Sequence, residues 1–241
     1  MTAPATGRRA EIAENLTALR ARIAAACQRA RRDVGEITVI AVTKTRPASD
    51  VRLLAELGVT DIGENRDAEA APKAAQCADL RLTWHFVGQL QTRKCRSVVG
   101  YTDVVHSADR PHLIHVLARE ALRAGRAVTC LVQVSLDGAA GASGAPRGGV
   151  SAGEAVALAG MVAAQDALRL GGVMAVAPLG TPPRDAFAKL AEVVAAVRAG
   201  HPDATMISAG MSGDLEEAIE AGATHVRVGT ALLGARRVFV R

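Results

Sequence analysis

Residues 37–58 read ITVIAVTKTRPASDVRLLAELG, and they set the pattern for most of the chain. ITVIAVTK (37–44) is almost continuously apolar and rich in β-branched residues, as a strand buried on both faces must be. After a polar turn containing Pro47, DVRLLAELG (50–58) is amphipathic and ends on Gly58, which suits a helix with a glycine cap. The unit then recurs. Strands are predicted at 60–64, 83–88, 103–107, 127–135, 171–177, 204–209 and 225–229. Helices fill most gaps, as in RPHLIHVLAREALRAG (110–125) and PPRDAFAKLAEVVAAVRAG (182–200), with Pro near the start and Gly at the end.

Eight strands alternating with helices predict an α/β fold with parallel pairing and helices outside. Eight such units in about 200 residues fit a closed (β/α)8 TIM barrel better than an open doubly wound sheet. The open sheet usually carries a GxGxxG turn after its first strand, and TKTRPAS has none. Upstream, Ile12, Leu16, Leu19, Ile23, Cys27 and Ala30 form one apolar stripe over residues 10–31, an additional N-terminal helix that flanks or caps the barrel. A single domain over residues 1–241 is expected.

Composition removes several classes of function. The chain is 49% hydrophobic, too apolar for disorder. Cys27, Cys77, Cys95 and Cys130 form no CxxC pair, and the six histidines show no metal-ligand spacing, so no metal is predicted. The N-terminus has no apolar signal core and no segment is long enough to span a membrane, so a cytoplasmic location with no membrane partner is expected. The net charge of +5 comes mostly from arginine, with lysine only at 44, 73, 94 and 189. Aromatics amount to 2%, which leaves no stacking platform, and no nucleic-acid partner is expected. Arg29, Arg31 and Arg32 close the first helix, where cations meet the negative end of its dipole.

Lys44 ends the first strand at what becomes the barrel mouth. There desolvation is expected to favour the neutral amine, which can attack an aldehyde and form a Schiff base; a guanidinium cannot. The competing reading pairs Lys44 with Glu64. The block ISAGMSGDLEEAIEAGATHVRVGTALLG (207–234) supplies two consecutive strand-to-helix turns. Ser212 is predicted as a helix N-cap, and Thr230 opens the last helix, a pairing that suits a phosphate dianion after strands seven and eight. His85 lies between Trp84 and Phe86, so the rings face one way and His85 the other, toward either a protein neighbour or a ligand. The Gly/Ala-rich stretch 137–149 reads as a lid or as a tolerated insertion.

The runs AVTKTRP, DIGENR, WHFVGQLQTRK, VVHSADR, GGVMAVAP and SAGMSGDLEEAIEAGATHVRVGTALLG cover most of 37–234 in order, and the sequence they make resembles the pyridoxal phosphate homeostasis proteins. The resemblance implies a barrel like the N-terminal domain of alanine racemase, with pyridoxal 5′-phosphate (PLP) on Lys44. It implies phosphate contacts from Ser212, Gly229 and Thr230, Arg227 against the pyridine nitrogen, and Asn65 and His85 near the cofactor. The family often has Met where this chain has Ala209, Asn at Arg93 and an aromatic at Arg66.

An arginine at the pyridine nitrogen is only a donor, so the ring nitrogen stays unprotonated and a poor electron sink. Racemisation also needs a second base, and the one tyrosine, Tyr101, is expected at the wrong end of the barrel. The leading expectation is therefore a carrier that takes part in PLP homeostasis without strong catalysis, apo PLP enzymes being candidate recipients. A PLP enzyme such as a racemase, or a barrel aldolase using Lys44 on a sugar phosphate, are the alternatives.

Overall fold

The computed structural model describes residues 5–137 and 148–235. Eight parallel strands close a barrel in sequence order: β1 (Thr38–Val42), β2 (Asp61–Glu64), β3 (Thr83–Phe86), β4 (Val104–Ala108), β5 (Val128–Val134), β6 (Leu168–Ala175), β7 (Met206–Ser208) and β8 (His225–Val228), with β8 pairing back onto β1. Around it run α1 (Ala5–Ala30), α2 (Ala48–Glu56), α3 (Asp67–Gln76), α4 (Cys95–Val98), α5 (Pro111–Arg123), α6 (Ala152–Ala163), α7 (Pro183–Gly200), α8 (Leu215–Glu220) and α9 (Thr230–Leu233). The barrel and the extra N-terminal helix expected from the sequence are both present. Most of the Gly/Ala-rich stretch, 138–147, lies outside the described residues. None of the described helices is long and apolar enough to cross a membrane.

Strand parity fixes what faces the lumen. Trp84 and Phe86 are buried among the outer helices, which leaves His85 pointing inward. On β2, a Cβ on Gly63 would stand 2.9 Å from Ile40 Cγ2 and 3.3 Å from Val42 Cγ2, so those side chains also fill the lumen. Val104, Leu131 and Met174 make a small apolar plug there. The sixth strand begins three residues before its predicted start at 171 because Gly171 and Gly172 lie inside it. A Cβ on Gly172, at φ 146°, would fall 2.0 Å from the Met206 carbonyl oxygen, so glycine here permits close approach of β6 and β7.

The stripe of α1 is buried against α8, α9 and the outer face of β8, with Ile12, Leu16, Leu19 and Ile23 each at most 3% exposed. Burial of each such side chain contributes about 1.5–3 kcal/mol at most. Polar contacts fasten the same seam. Asn15 and Arg8 donate to the Leu232 and Leu233 carbonyls, and Arg32 donates to those of Ile219 in α8 and Ala223 in the turn that follows it. Arg29 pairs with Glu220 at 2.7 Å. The basic run at the end of α1 therefore ties this helix to its neighbour, beyond the dipole role the sequence suggested.

Candidate functional site

Everything the sequence singled out on β1, β7 and β8 converges at the C-terminal mouth. Lys44 stands two residues beyond β1 in a turn closed by a hydrogen bond from the Arg46 N–H to the Thr43 carbonyl. Its neighbour Thr45 has φ 64°, the left-handed region, which a β-branched residue adopts only when held there. The Glu69 carboxylate does so, accepting from the Thr45 N–H at 2.9 Å. Lys44 is exposed, so the desolvated lysine expected from the sequence is not found; the turn lifts it past the strand and out of the apolar wall.

The carboxylate that competed for Lys44 is taken by another lysine. Behind β1, Glu64 accepts from Thr43 Oγ1 at 2.6 Å and pairs closely with Lys73, whose Nζ also donates to the Thr43 carbonyl at 2.8 Å. All three side chains are buried, and Glu64 Oε2 has no partner among the described residues. The backbone entering Lys44 is thus clamped from outside while Nζ of Lys44 stays out of that ion pair.

Across the mouth, Gly229 sits where a Cβ would come within 3.4 Å of the Val42 carbonyl oxygen, which places the start of α9 against the end of β1. Gly210, at φ 88°, lets the β7–α8 turn press on α8, where a Cβ would meet Ala218 Cβ at 2.7 Å. Ser212 is not the N-cap it was expected to be: α8 starts two residues later, with Asp214 at its cap. Ser212 Oγ instead accepts from the Ala231 N–H at 3.2 Å and joins the two turns. Arg22 of α1 holds the first turn from behind, donating to the Ser212 carbonyl at 3.0 Å and pairing with Glu216 at 2.6 Å. The hydrogen bond from Arg22 holds the Glu216 carboxyl below its usual range.

One lumen-facing position below Gly229 lies Arg227, 5% exposed. Its Nη1 donates to the Ser208 carbonyl at 2.7 Å and to Ser208 Oγ at 2.6 Å, and Nη2 to the Ala175 carbonyl at 2.8 Å. No carboxylate pairs with it among the described residues. Burial lowers its pKa to about 10, so it is still a cation at neutral pH. A buried cation held by neutral acceptors is a demanding arrangement unless an electron-rich ligand group completes it.

Asn65 follows β2, and its Oδ1 is buried without a partner among the described residues. A Cβ on Gly88 would lie 2.3 Å from the Asn65 carbonyl oxygen, so the β3 loop packs directly on this residue. His85 sits deeper, with Nε2 3.0 Å from Asp61 Oδ1 and Nδ1 2.9 Å from His106 Nε2. Both ring nitrogens are therefore committed to protein. Sequence reading did not single out Asp61, Ser208, Arg22 or Lys73, and passed over His106 once no metal spacing was found. The alternation in VVHSA carried a signal for His106, since it shares the lumen face with Val104. Tyr101 precedes β4 at the other end of the barrel, edge-on to Trp84 with ring centroids 6.4 Å apart, and burial pushes its phenol well up.

Residues 15–237 match the alanine racemase N-terminal domain family. A pyridoxal phosphate homeostasis protein of Mycobacterium leprae is 41% identical over 249 residues, covering 96% of this chain and 95% of its own length. The homologue of the same name in Escherichia coli K12 is 35% identical, covering 94% of this chain and 97% of itself. Among solved structures, PipY of Synechococcus elongatus, determined with PLP bound, superposes with a TM-score of 0.79 at 33% identity over 92% of this chain and 100% of its own.

Proposed function

This chain belongs to the pyridoxal phosphate homeostasis proteins, within the alanine racemase N-terminal domain family, and we propose that it binds PLP and takes part in intracellular PLP homeostasis without strong catalytic activity. The observation that carries the reading is Arg227, a buried cation with only neutral partners, beneath a mouth formed by Lys44 and the Ser212 and Thr230 turns. The residues present fit the cofactor. Ser212, Gly229 and Thr230 offer hydroxyls and a close-approach glycine to a phosphate. Arg227 has spare N–H groups for a pyridine nitrogen, and the unpartnered Asn65 Oδ1 is an acceptor for a ring substituent. Lys44, exposed at the mouth, would hold the ligand through its Nζ as a Schiff base with the aldehyde, water being the leaving group.

PLP supplies a conjugated ring that accepts electrons when its nitrogen is protonated. Arg227 has no acceptor to share a proton, so that sink is weak here. His85 supports the site from below through the partners it already has. Holding a reactive aldehyde reversibly and yielding it to an apo PLP enzyme requires only that water resolve the Lys44 bond and that the turns release the phosphate.

The test is reduction of the PLP-incubated protein with borohydride, followed by peptide mapping. A pyridoxyl mass on the Lys44 peptide is expected, and label confined to Lys73, Lys94 or Lys189 would sink the assignment. Incubation of the loaded protein with L- and D-amino acids in heavy water should give no rapid α-deuterium exchange. Exchange that disappears in Lys44→Ala would replace the carrier with an enzyme.

A further inference from the structure

Below the mouth, a row of side chains crosses the lumen from β8 to β2: Arg227, Ser208, His106, His85 and Asp61. The consecutive separations are 2.6, 3.0, 2.9 and 3.0 Å. Ser208, His106 and His85 are all at most 2% exposed, and the far end, the Asp61 side chain, is 23% exposed at the start of β2. The hydrogens are assigned from the two ends, where the Asp61 carboxylate only accepts and Arg227 only donates. Ser208 Oγ accepts from Arg227, which leaves its single hydrogen free for its other neighbour, His106 Nδ1. Burial holds the His106 pKa well below the ordinary histidine value, so the ring is neutral and carries its hydrogen on Nε2. That hydrogen goes to His85 Nδ1, and His85 Nε2–H goes to the Asp61 carboxylate. The five residues form one directed chain with a cation at one end and an anion at the other.

We infer that Asp61, His85 and His106 are positioning residues that act through Ser208 on Arg227, orienting its free N–H groups toward an aromatic ring nitrogen at the mouth and keeping that nitrogen unprotonated. Were the chain to run the other way, His106 Nδ1–H would point at Ser208 Oγ, which already accepts from Arg227. The serine hydrogen would then turn away from His106 and compete for the acceptor Arg227 is meant to serve. Asp61 thus decides, from the opposite end of the barrel, which hydrogens the ligand meets. As far as it names the ligand ring, the inference rests on the PLP reading above; the chain itself does not.

The experiment uses the full-length protein with histidine labelled by nitrogen-15. In PLP-free protein near neutral pH, His106 should show the neutral tautomer with hydrogen on Nε2 and a bare Nδ1. Asp61→Leu removes the terminal acceptor without touching His106, and the His106 hydrogen should move to Nδ1. In the same variant, affinity for PLP and for pyridoxal should fall equally, by about tenfold, the loss of roughly one charged hydrogen bond. Because the chain acts on the ring, the phosphate should make no difference. His106→Gln, which accepts at oxygen and donates at nitrogen, should keep both affinities within about twofold, whereas His106→Leu should not. A His106 that carries its hydrogen on Nδ1 in the parent protein, or that is indifferent to Asp61→Leu, overturns the inference. If the tautomers behave as stated but PLP does not bind, the chain stands and the PLP reading alone fails.

Discussion

Ser212 Oγ accepts a hydrogen bond from the Ala231 backbone N–H at 3.2 Å, so one hydroxyl joins the turn after β7 to the first turn of α9. The oxygen is used as an acceptor and its hydrogen remains available to an anion between the two turns. Ser212→Ala should cost about 1.5–3 kcal/mol of PLP binding, or about 10- to 150-fold in affinity, as for a hydrogen bond to a charged acceptor. Thr230→Ala should behave alike. Pyridoxal, which lacks the phosphate, should lose far less in both variants. Titration by absorbance with each ligand checks this, and equal losses for the two would place the phosphate elsewhere.

Arg22 touches no ligand group in the proposed site, yet it donates to the Ser212 carbonyl and pairs with Glu216. Arg22→Met keeps most of the apolar stem and removes both contacts. The exposed side of the ion pair is screened, so the stability loss should be only about 0.5–1 kcal/mol in urea unfolding. The affinity for PLP should fall severalfold all the same, because the turn loses its anchor. Unchanged affinity would mean that α1 merely covers the barrel.

The barrel was legible because its evidence is local. ITVIAVTK and its successors each declare a strand, and their alternation with helices leaves few arrangements. The direction of His85 followed in the same way from Trp84 and Phe86 on either side. What could not be read depended on loop geometry or on closure of the barrel. The exposure of Lys44 turns on a Thr45 backbone angle that no pattern announces. Ser212 and Asp214 are both acceptable N-caps, and only the approach of Ala231 decides between them. His106 meets Ser208 across 102 positions of sequence, a contact that exists only once strand order and register are set.

The buried Lys73–Glu64 pair gives a stability test independent of any ligand. Lys73→Met leaves the Glu64 carboxylate in the core with Thr43 Oγ1 as its remaining partner, and should cost about 3–5 kcal/mol. Adding Glu64→Leu removes the stranded charge and should recover most of that loss, since a well-packed apolar pair replaces a buried ion pair at little net cost. Urea melts of the two variants provide the comparison. A double variant as unstable as Lys73→Met alone would show that the clamp on Thr43, and not the stranded charge, sets the cost.

Acid should weaken the fold through its inward-facing histidines before the carboxylates titrate. Burial lowers the His225 pKa from 6.5 to about 4, and it also holds His106 well below the ordinary histidine value. Below pH 6.5 the unfolded chain takes up protons at these positions while the folded chain does not, so stability falls as pH falls, by about 1.4 kcal/mol per pH unit for each histidine. For His225 the loss ends near pH 4, where the folded protein binds the proton too. Asp61 and Glu216 act in the same sense but later, because their lowered pKa values place their loss below the ordinary carboxylate range. At pH 5 His225 accounts for about 2 kcal/mol of lost stability. His225→Asn retains a partner for Thr224 and removes the titration, so its unfolding free energy should fall by about 2 kcal/mol less than that of the parent between pH 7 and pH 5. Parallel curves for parent and variant over that interval would mean that His225 is not held neutral by burial.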